Sequence, residues 1–259
     1  MTAALEIQGL NKSFGAIQVA RDITLSLEEG ARRALIGPNG AGKTTFVSLL
    51  SGVVRPDSGR VLLFGQDITS DSASVRTKKG LVRTFQVSNL FGKLSVLENV
   101  FLAVSERSNA SFDLWTGAGK KRELIDKAEH LIEQLRLTDN IHDPVSQIAY
   151  GRQRLVEIAL ALALEPRVLL LDEPAAGIPH SETDVLLEAV YSLPTNIAIL
   201  MIEHDMQVVR RFASEVTVLV GGAVLMTGTP KDVMVSEQVR EVYLGHAGAN
   251  RFSSETLHA

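Results

Sequence analysis

Gly37-Pro38-Asn39-Gly40-Ala41-Gly42-Lys43-Thr44 is the stretch on which the reading of this chain turns. It fits the spacing G-x-x-x-x-G-K-[ST], in which glycines let backbone N–H groups turn toward phosphates without Cβ clashes. Ala31–Ile36, just ahead of it, reads as a strand, and the residues from about Lys43 read as a helix. The N-terminal dipole of such a helix favours an anion. In that setting Lys43 reaches the β- and γ-phosphates of a nucleotide and the Thr44 hydroxyl binds Mg²⁺. From average residue usage the pattern alone arises about once per hundred chains of this size. The strand–loop–helix context makes chance rarer still.

Outward from this loop, strand and helix patterns alternate. Ile23, Leu25 and Leu27 alternate with Thr24, Ser26 and Glu28, as in a half-buried strand. Arg55-Pro56-Asp57-Ser58-Gly59 is a turn by composition, with a short strand Val61–Phe64 after it. The middle of the chain turns helical. Ser95-Val96-Leu97-Glu98 has capping-box spacing ahead of Val100, Phe101 and Val104. Leu124, Ile125, Ala128, Leu131, Ile132 and Leu135 then recur at helical spacing, and a third helix runs from about Leu155 to about Leu164, ended by Pro166. Val168–Leu171 and Ile197–Ile202 are continuous apolar runs, as in a parallel sheet covered on both faces. Val216–Val220 and Ala223–Met226 flank Gly221-Gly222, a hairpin signal, and Thr229-Pro230 opens a last helix through about Tyr243. The layout is an α/β core interrupted by a helical insert, roughly Val87–Glu165, with a polar tail beyond Gly248 and no internal repeat.

Two strand ends carry chemistry. Val168–Leu171 runs into Asp172-Glu173. Beside the phosphate loop, Asp172 falls near Mg²⁺, usually through water, and Glu173 is positioned to polarise an attacking water as general base. His204 follows the apolar run Ile197–Ile202, at a second strand end, where α/β sheets bind ligands. It reads as a γ-phosphate sensor that also holds Glu173 and water. His130, His142, His180, His246 and His258 have no such context.

Composition excludes other classes. A net charge of −4 over 259 residues gives no footprint for duplex nucleic acid. Arg76, Lys78, Lys79 and Arg83 cluster without interleaved aromatics, and are expected to form a solvated face. The absence of cysteine excludes disulfides and thiolate metal sites. Met1–Leu10 lacks the basic start and apolar stretch of a signal peptide, and the apolar runs are far short of a membrane span. Work at a membrane would therefore go through a partner.

Ile148-Ala149-Tyr150-Gly151-Arg152-Gln153-Arg154, about twenty residues ahead of Asp172, resembles the LSGGQ-type signature of ABC ATPases, in the variant with an aromatic third residue. The other motifs follow in order. Phe14 matches the aromatic that stacks on adenine, Arg83-Thr84-Phe85-Gln86 the Q-loop, Ala175–Pro179 the D-loop and His204 the switch histidine. The resemblance extends to about Gly245 and implies a single domain over residues 1–259. Its expected fold is α/β: a P-loop (RecA-like) core with an antiparallel β subdomain, over residues 1–86 and 166–245, and an inserted α-helical subdomain at about 87–165. Residues 246–259 are expected to be a tail.

The resemblance also implies a site. ATP is held by Phe14, Gly37, Pro38, Asn39, Gly40, Ala41, Gly42, Lys43, Thr44 and Thr45, and Mg²⁺ by Thr44, Gln86 and Asp172. Glu173, His204, Gln86 and Lys43 are the catalytic residues. Ala149, Tyr150 and Gly151 face the nucleotide of a second ABC ATPase subunit, a copy or a sister chain, in a head-to-tail dimer. Gln86 couples nucleotide state to rotation of the helical part. The implied setting is the cytoplasmic face of the inner membrane, with transmembrane permease subunits and, indirectly, a solute-binding protein.

Val82–Val100, Pro174–Gly177, Ile202–Met206 and Val242–Gly245 resemble uptake ATPases for branched-chain amino acids; relatives serving urea, amides, aromatic acids or lipopolysaccharide export share much of this pattern. Three positions depart from the broad family. Ala149 replaces the signature serine, Arg152 replaces glutamine and is expected to face solvent, and Pro179 replaces the D-loop Asp or Asn.

Overall fold

The two long apolar runs become the centre of a sheet that is buried on both faces. The computed structural model describes residues 3–84, 90–108 and 118–244. Strands β1 (Ala3–Phe14), β2 (Ile17–Glu28) and β3 (Arg32–Ile36) lead to helix α1 (Lys43–Leu50). Next come β4 (Ser58–Leu63), β5 (Gln66–Asp67), α2 (Ala73–Lys78) and β6 (Leu81–Arg83). Three helices follow: α3 (Val96–Arg107), α4 (Ala118–Gln134) and α5 (Tyr150–Ala163). The chain then alternates through β7 (Val168–Asp172), α6 (His180–Tyr191), β8 (Ala198–Ile202) and α7 (Met206–Phe212). A hairpin of β9 (Glu215–Val220) and β10 (Ala223–Gly228) precedes α8 (Pro230–Val235) and α9 (Glu237–Leu244).

Two sheets result. One has six strands in the order β10-β9-β3-β8-β7-β6, parallel except for β10. The other has four antiparallel strands in the order β2-β1-β4-β5. Alternation assigns the side chains of the central strands to two cores. Val168, Leu170, Ala198 and Leu200 pack toward α1 and the antiparallel sheet. Leu169, Leu171, Ile199 and Met201 pack toward the helices. Because both faces are covered, β7 and β8 show no polar alternation.

Helices α3 to α5 pack on one another, with Val100, Val104, Leu124, Ala128, Leu131, Ile132 and Leu155 among their buried residues. The expected capping box opens α3: Glu98 N–H donates to Ser95 Oγ at 3.1 Å, and Ser95 N–H to Glu98 Oε2 at 2.7 Å. Such a cap contributes about 1 kcal/mol.

Several expectations need correction. The alternating strand is longer than read, and β1 was not legible. Ala4 and Leu5 are both buried, and Gly9, at φ 56°, lies between register shifts. Those bulges erase the two-residue period. Helix α5 starts at Tyr150, a turn before Leu155. The last helix is two helices, broken at Ser236, whose ψ of 121° leaves the helical region. Ser236 Oγ then accepts from Val239 N–H in the next first turn.

The basic cluster is not a solvated face. Arg76 is 1% exposed and donates to the carbonyls of Leu49 (2.7 Å), Leu50 (2.6 Å), Thr69 (2.9 Å) and Asp71 (3.2 Å). It caps the C-terminal end of α1, where carbonyls lack intrahelical partners. Burial pushes its pKa below the usual arginine value. Lys79 pairs with Asp71, Arg83 pairs with Asp172, and Lys78 stays exposed.

Candidate functional site

The C-terminal ends of β3, β7 and β8 lie side by side and carry the charged groups. From β3 the chain enters the loop at Gly37 and reaches α1 through Gly42, the N-cap, at φ 99°. A Cβ at Gly42 would lie 2.5 Å from the Val19 carbonyl oxygen, so only glycine lets the loop sit against β2. Gly222 N–H donates to the Ala41 carbonyl at 2.9 Å, anchoring the loop from the β9–β10 turn. Lys43 is buried, and its ammonium donates to the carbonyls of Gly37 (2.7 Å) and Pro38 (3.1 Å). Asn39, Gly40 and Thr44 are exposed, and Pro38 and Thr45 half-buried. Gly42 brings no side chain to cap α1. Phe14 stands at the tip of the β1–β2 ribbon, 51% exposed, with Lys12 Nζ 5.4 Å from its ring centre.

Asp172 ends β7 almost wholly buried, its Oδ2 2.6 Å from Arg83 Nη2. Arg83 Nη1 also lies 3.4 Å from Ser48 Oγ on α1, which joins the strand end to the helix behind the loop. Glu173 follows at φ 48°, a left-handed conformation that costs a non-glycine residue about 1–2 kcal/mol. Its N–H donates to the Ile202 carbonyl at 2.9 Å, and Ala176 N–H closes a turn onto the Glu173 carbonyl at 3.0 Å. The turn aims the partly exposed carboxylate at β8. There His204 Nδ1 lies 3.9 Å from Glu173 Oε1, close enough for charge to act and too far for a direct hydrogen bond. Asp172, Glu173 and His204 thus lie at or just beyond the ends of the adjacent strands β7 and β8, and Lys43 opens the helix that follows the neighbouring strand β3. Gln86 lies outside the described residues, as does Phe85.

Glu203, between Ile202 and His204, went unassigned in the sequence. It is 1% exposed, and its carboxylate accepts from Ala175 N–H (3.0 Å) and His204 N–H (3.2 Å). Burial pushes its pKa up, while the hydrogen bonds from Ala175, His204 and Asp205 and the His204 charge pull it down; burial prevails. A charged residue continuing an apolar strand was the available signal. The pairing of Arg83 with Asp172 had none, because a three-residue strand shows no period.

The signature-like segment forms a second helix start. Ala149 is the N-cap of α5 and makes no side-chain cap. Instead Gly151 N–H donates to Glu182 Oε2, from α6, at 3.0 Å. A Cβ at Gly151 would lie 2.4 Å from that oxygen. The Tyr150 hydroxyl accepts from Arg154 at 2.6 Å, and the ring packs beside Gly177. Arg152 is half-buried rather than solvated, donating to the Arg136 carbonyl at 2.8 Å. Pro179, at φ −58°, is the N-cap of α6, where its missing N–H leaves no helical bond unmade.

Comparison with known proteins shows the family and the fold. Residues 20–176 match the model of the ABC transporter family. The high-affinity branched-chain amino acid transport ATP-binding protein BraF of Pseudomonas aeruginosa is 36% identical over 252 residues, 94% of this chain and 98% of the relative. LivG of Escherichia coli, named for the same transport, is 35% identical over the same shares of each, 94% and 98%. Among solved structures, the ADP conformation of MJ1267, an ATP-binding cassette of an ABC transporter, superimposes with a TM-score of 0.84 at 27% identity, covering 95% of this chain and 100% of that one. The α/β fold, the phosphate-binding loop and these matches together make the chain a member of the ABC transporter family, an ATPase subunit related to the branched-chain amino acid uptake ATPases.

Proposed function

We propose that this chain hydrolyses ATP to drive uptake of branched-chain or other hydrophobic amino acids across a membrane. The observation that carries the substrate class is the 36% identity to BraF over 94% of this chain and 98% of that one. Among the described residues no helix is long and apolar enough to cross a membrane; in this reading the path for the solute belongs to permease partners. A second ABC ATPase subunit pairs with this one at the cytoplasmic face of the inner membrane, and a solute-binding protein delivers the cargo.

In this reading the backbone of Gly37–Thr45 wraps the phosphates, and Lys43 exchanges its carbonyl partners for the β- and γ-phosphate oxygens. Phe14 stacks on the adenine. No group of three or more His, Cys, Asp or Glu among the described residues could cage a metal alone. Thr44 and Asp172, with Gln86, offer the few hard oxygen donors that suit Mg²⁺ shared with phosphates, and Arg83 now neutralises Asp172. Bound there, the ion offsets charge on the phosphates. Glu173 takes a proton from the attacking water as its oxygen bonds to the γ-phosphorus, and the bond to the ADP oxygen breaks. His204 holds the γ-phosphate and orients Glu173. Ala149, Tyr150 and Gly151 face the partner's nucleotide.

Two experiments test this. Glu173→Gln is expected to reduce turnover by about 10³-fold or more while leaving ATP binding intact and trapping an ATP-bound dimer; full activity would remove Glu173 as the base. In vesicles with its permeases and binding protein, leucine, isoleucine or valine should be taken up with ATP. Uptake confined to polar or aromatic solutes would overturn the substrate class.

A further inference from the structure

Glu203 is a buried carboxylate that the hydrolytic reading leaves unused. No lysine or arginine among the described residues acts on it; its ionisable neighbour is His204. A carboxylate so placed loses its hydration and persists only where other donors replace the water. Here the donors are backbone amides. Oε1 takes the N–H of Ala175, two residues after Glu173, and Oε2 takes the N–H of His204. The Glu203 N–H meanwhile donates to the Leu35 carbonyl of β3 at 3.2 Å, one residue before that strand ends. One residue therefore ties together the strand entering the phosphate loop, the turn carrying Glu173 and the start of the His204 segment.

That turn needs an outside hold. Glu173 sits at φ 48°, and on its own side the turn is fixed by the Glu173 N–H on Ile202. The far side is fixed by Ala175 on Glu203. One carboxylate oxygen takes the Ala175 amide and the other the His204 amide, with the Asp205 amide a further donor, so the rigid span between the two oxygens sets the spacing of the two segments. A glutamine there offers one acceptor oxygen and turns an NH₂ toward the other amide.

We propose that Glu203 is a positioning residue for ATP hydrolysis, holding Glu173 and His204 in register by gripping the amides of Ala175 and His204. The inference rests on the hydrolytic roles given above to those two residues. Misplacing a reacting group by about 1 Å costs on the order of 100-fold in rate. The test is Glu203→Gln in the full chain, with ATPase kinetics, binding of a fluorescent ATP analogue and melting measured together. The expected result is a kcat lower by roughly 10- to 100-fold with KM and analogue affinity within about twofold of wild type. On a His204→Ala background the same change should lower kcat less than about twofold further, because the register then has nothing left to hold.

An unchanged kcat would overturn the proposal. So would parallel losses of kcat, analogue affinity and melting temperature, which mark a merely structural group. If Glu173→Gln and His204→Ala themselves retain turnover, the underlying roles fail instead. Should Glu203→Gln not fold, the wild-type amides of Ala175 and His204 decide by NMR. Slow hydrogen exchange and downfield shifts are expected at both, and rapid exchange at both would overturn the grip.

Discussion

Helices α1 and α5 both begin on a residue with no side-chain cap, Gly42 in one and Ala149 in the other, yet their first turns meet different company. At α1 the charged neighbour is a cation, Lys43, folded onto the loop's carbonyls. At α5 the Gly151 amide already holds an anion of the chain's own, the Glu182 carboxylate. The electrostatic preference of a helix start for an anion is therefore met at α5 by the chain's own carboxylate, whereas α1 opens beside a cation. If the proposed second subunit brings its nucleotide to α5, it meets Glu182 at that amide.

Five substitutions sharpen or break that contrast, the largest effect first. Lys43→Ala should weaken ATP binding by about 100-fold, since charge-assisted hydrogen bonds to phosphate are worth about 1.5–3 kcal/mol each; calorimetry on the full chain reads it. Gly42→Ala should lower Tm by about 5–10 °C. Its Cβ meets a backbone carbonyl at 2.5 Å from a left-handed conformation, whereas the Cβ of Gly151→Ala meets the movable Glu182 carboxylate. Gly151→Ala should therefore cost about 2 °C or less, and equal losses in the two melts would erase the distinction.

Ala149→Ser restores a hydroxyl at the α5 start and should lower the ATP concentration needed for dimerisation by about tenfold, the low end of one hydrogen bond to a charged group. No change in light-scattering titrations would place the hydroxyl out of reach. Glu182→Gln removes a charge worth about 1 kcal/mol at a helix start, so ATP-dependent dimerisation should improve roughly fivefold. Weaker dimerisation would show that Glu182 supports the closed pair rather than competing with it.

The loop Gly37–Thr44, the acid pair and His204 could be proposed from the sequence because each couples a local chemical requirement to a local pattern. Glycines sit where the backbone must turn, and acids or a histidine directly follow an apolar strand. The capping box of α3 was legible for the same reason, as its two partners are three residues apart. Strand β1 was not, since bulges at Gly9 broke its period. Nor was the burial of Arg76, whose acceptors lie on α1 and in the turn before α2.

By itself, then, the sequence determined the α/β class and singled out the loop Gly37–Thr44 with Lys43, Asp172, Glu173 and His204 as the proposed site, from patterns a few residues long. Only the tertiary structure decided how those groups are held: Arg83 on Asp172 across 89 positions, Glu203 on Ala175 across 28, and Glu182 on Gly151 across 31. Each of these pairs a polar group with one far along the chain. The pairing depends on strand order and helix packing, which no short window of residues encodes.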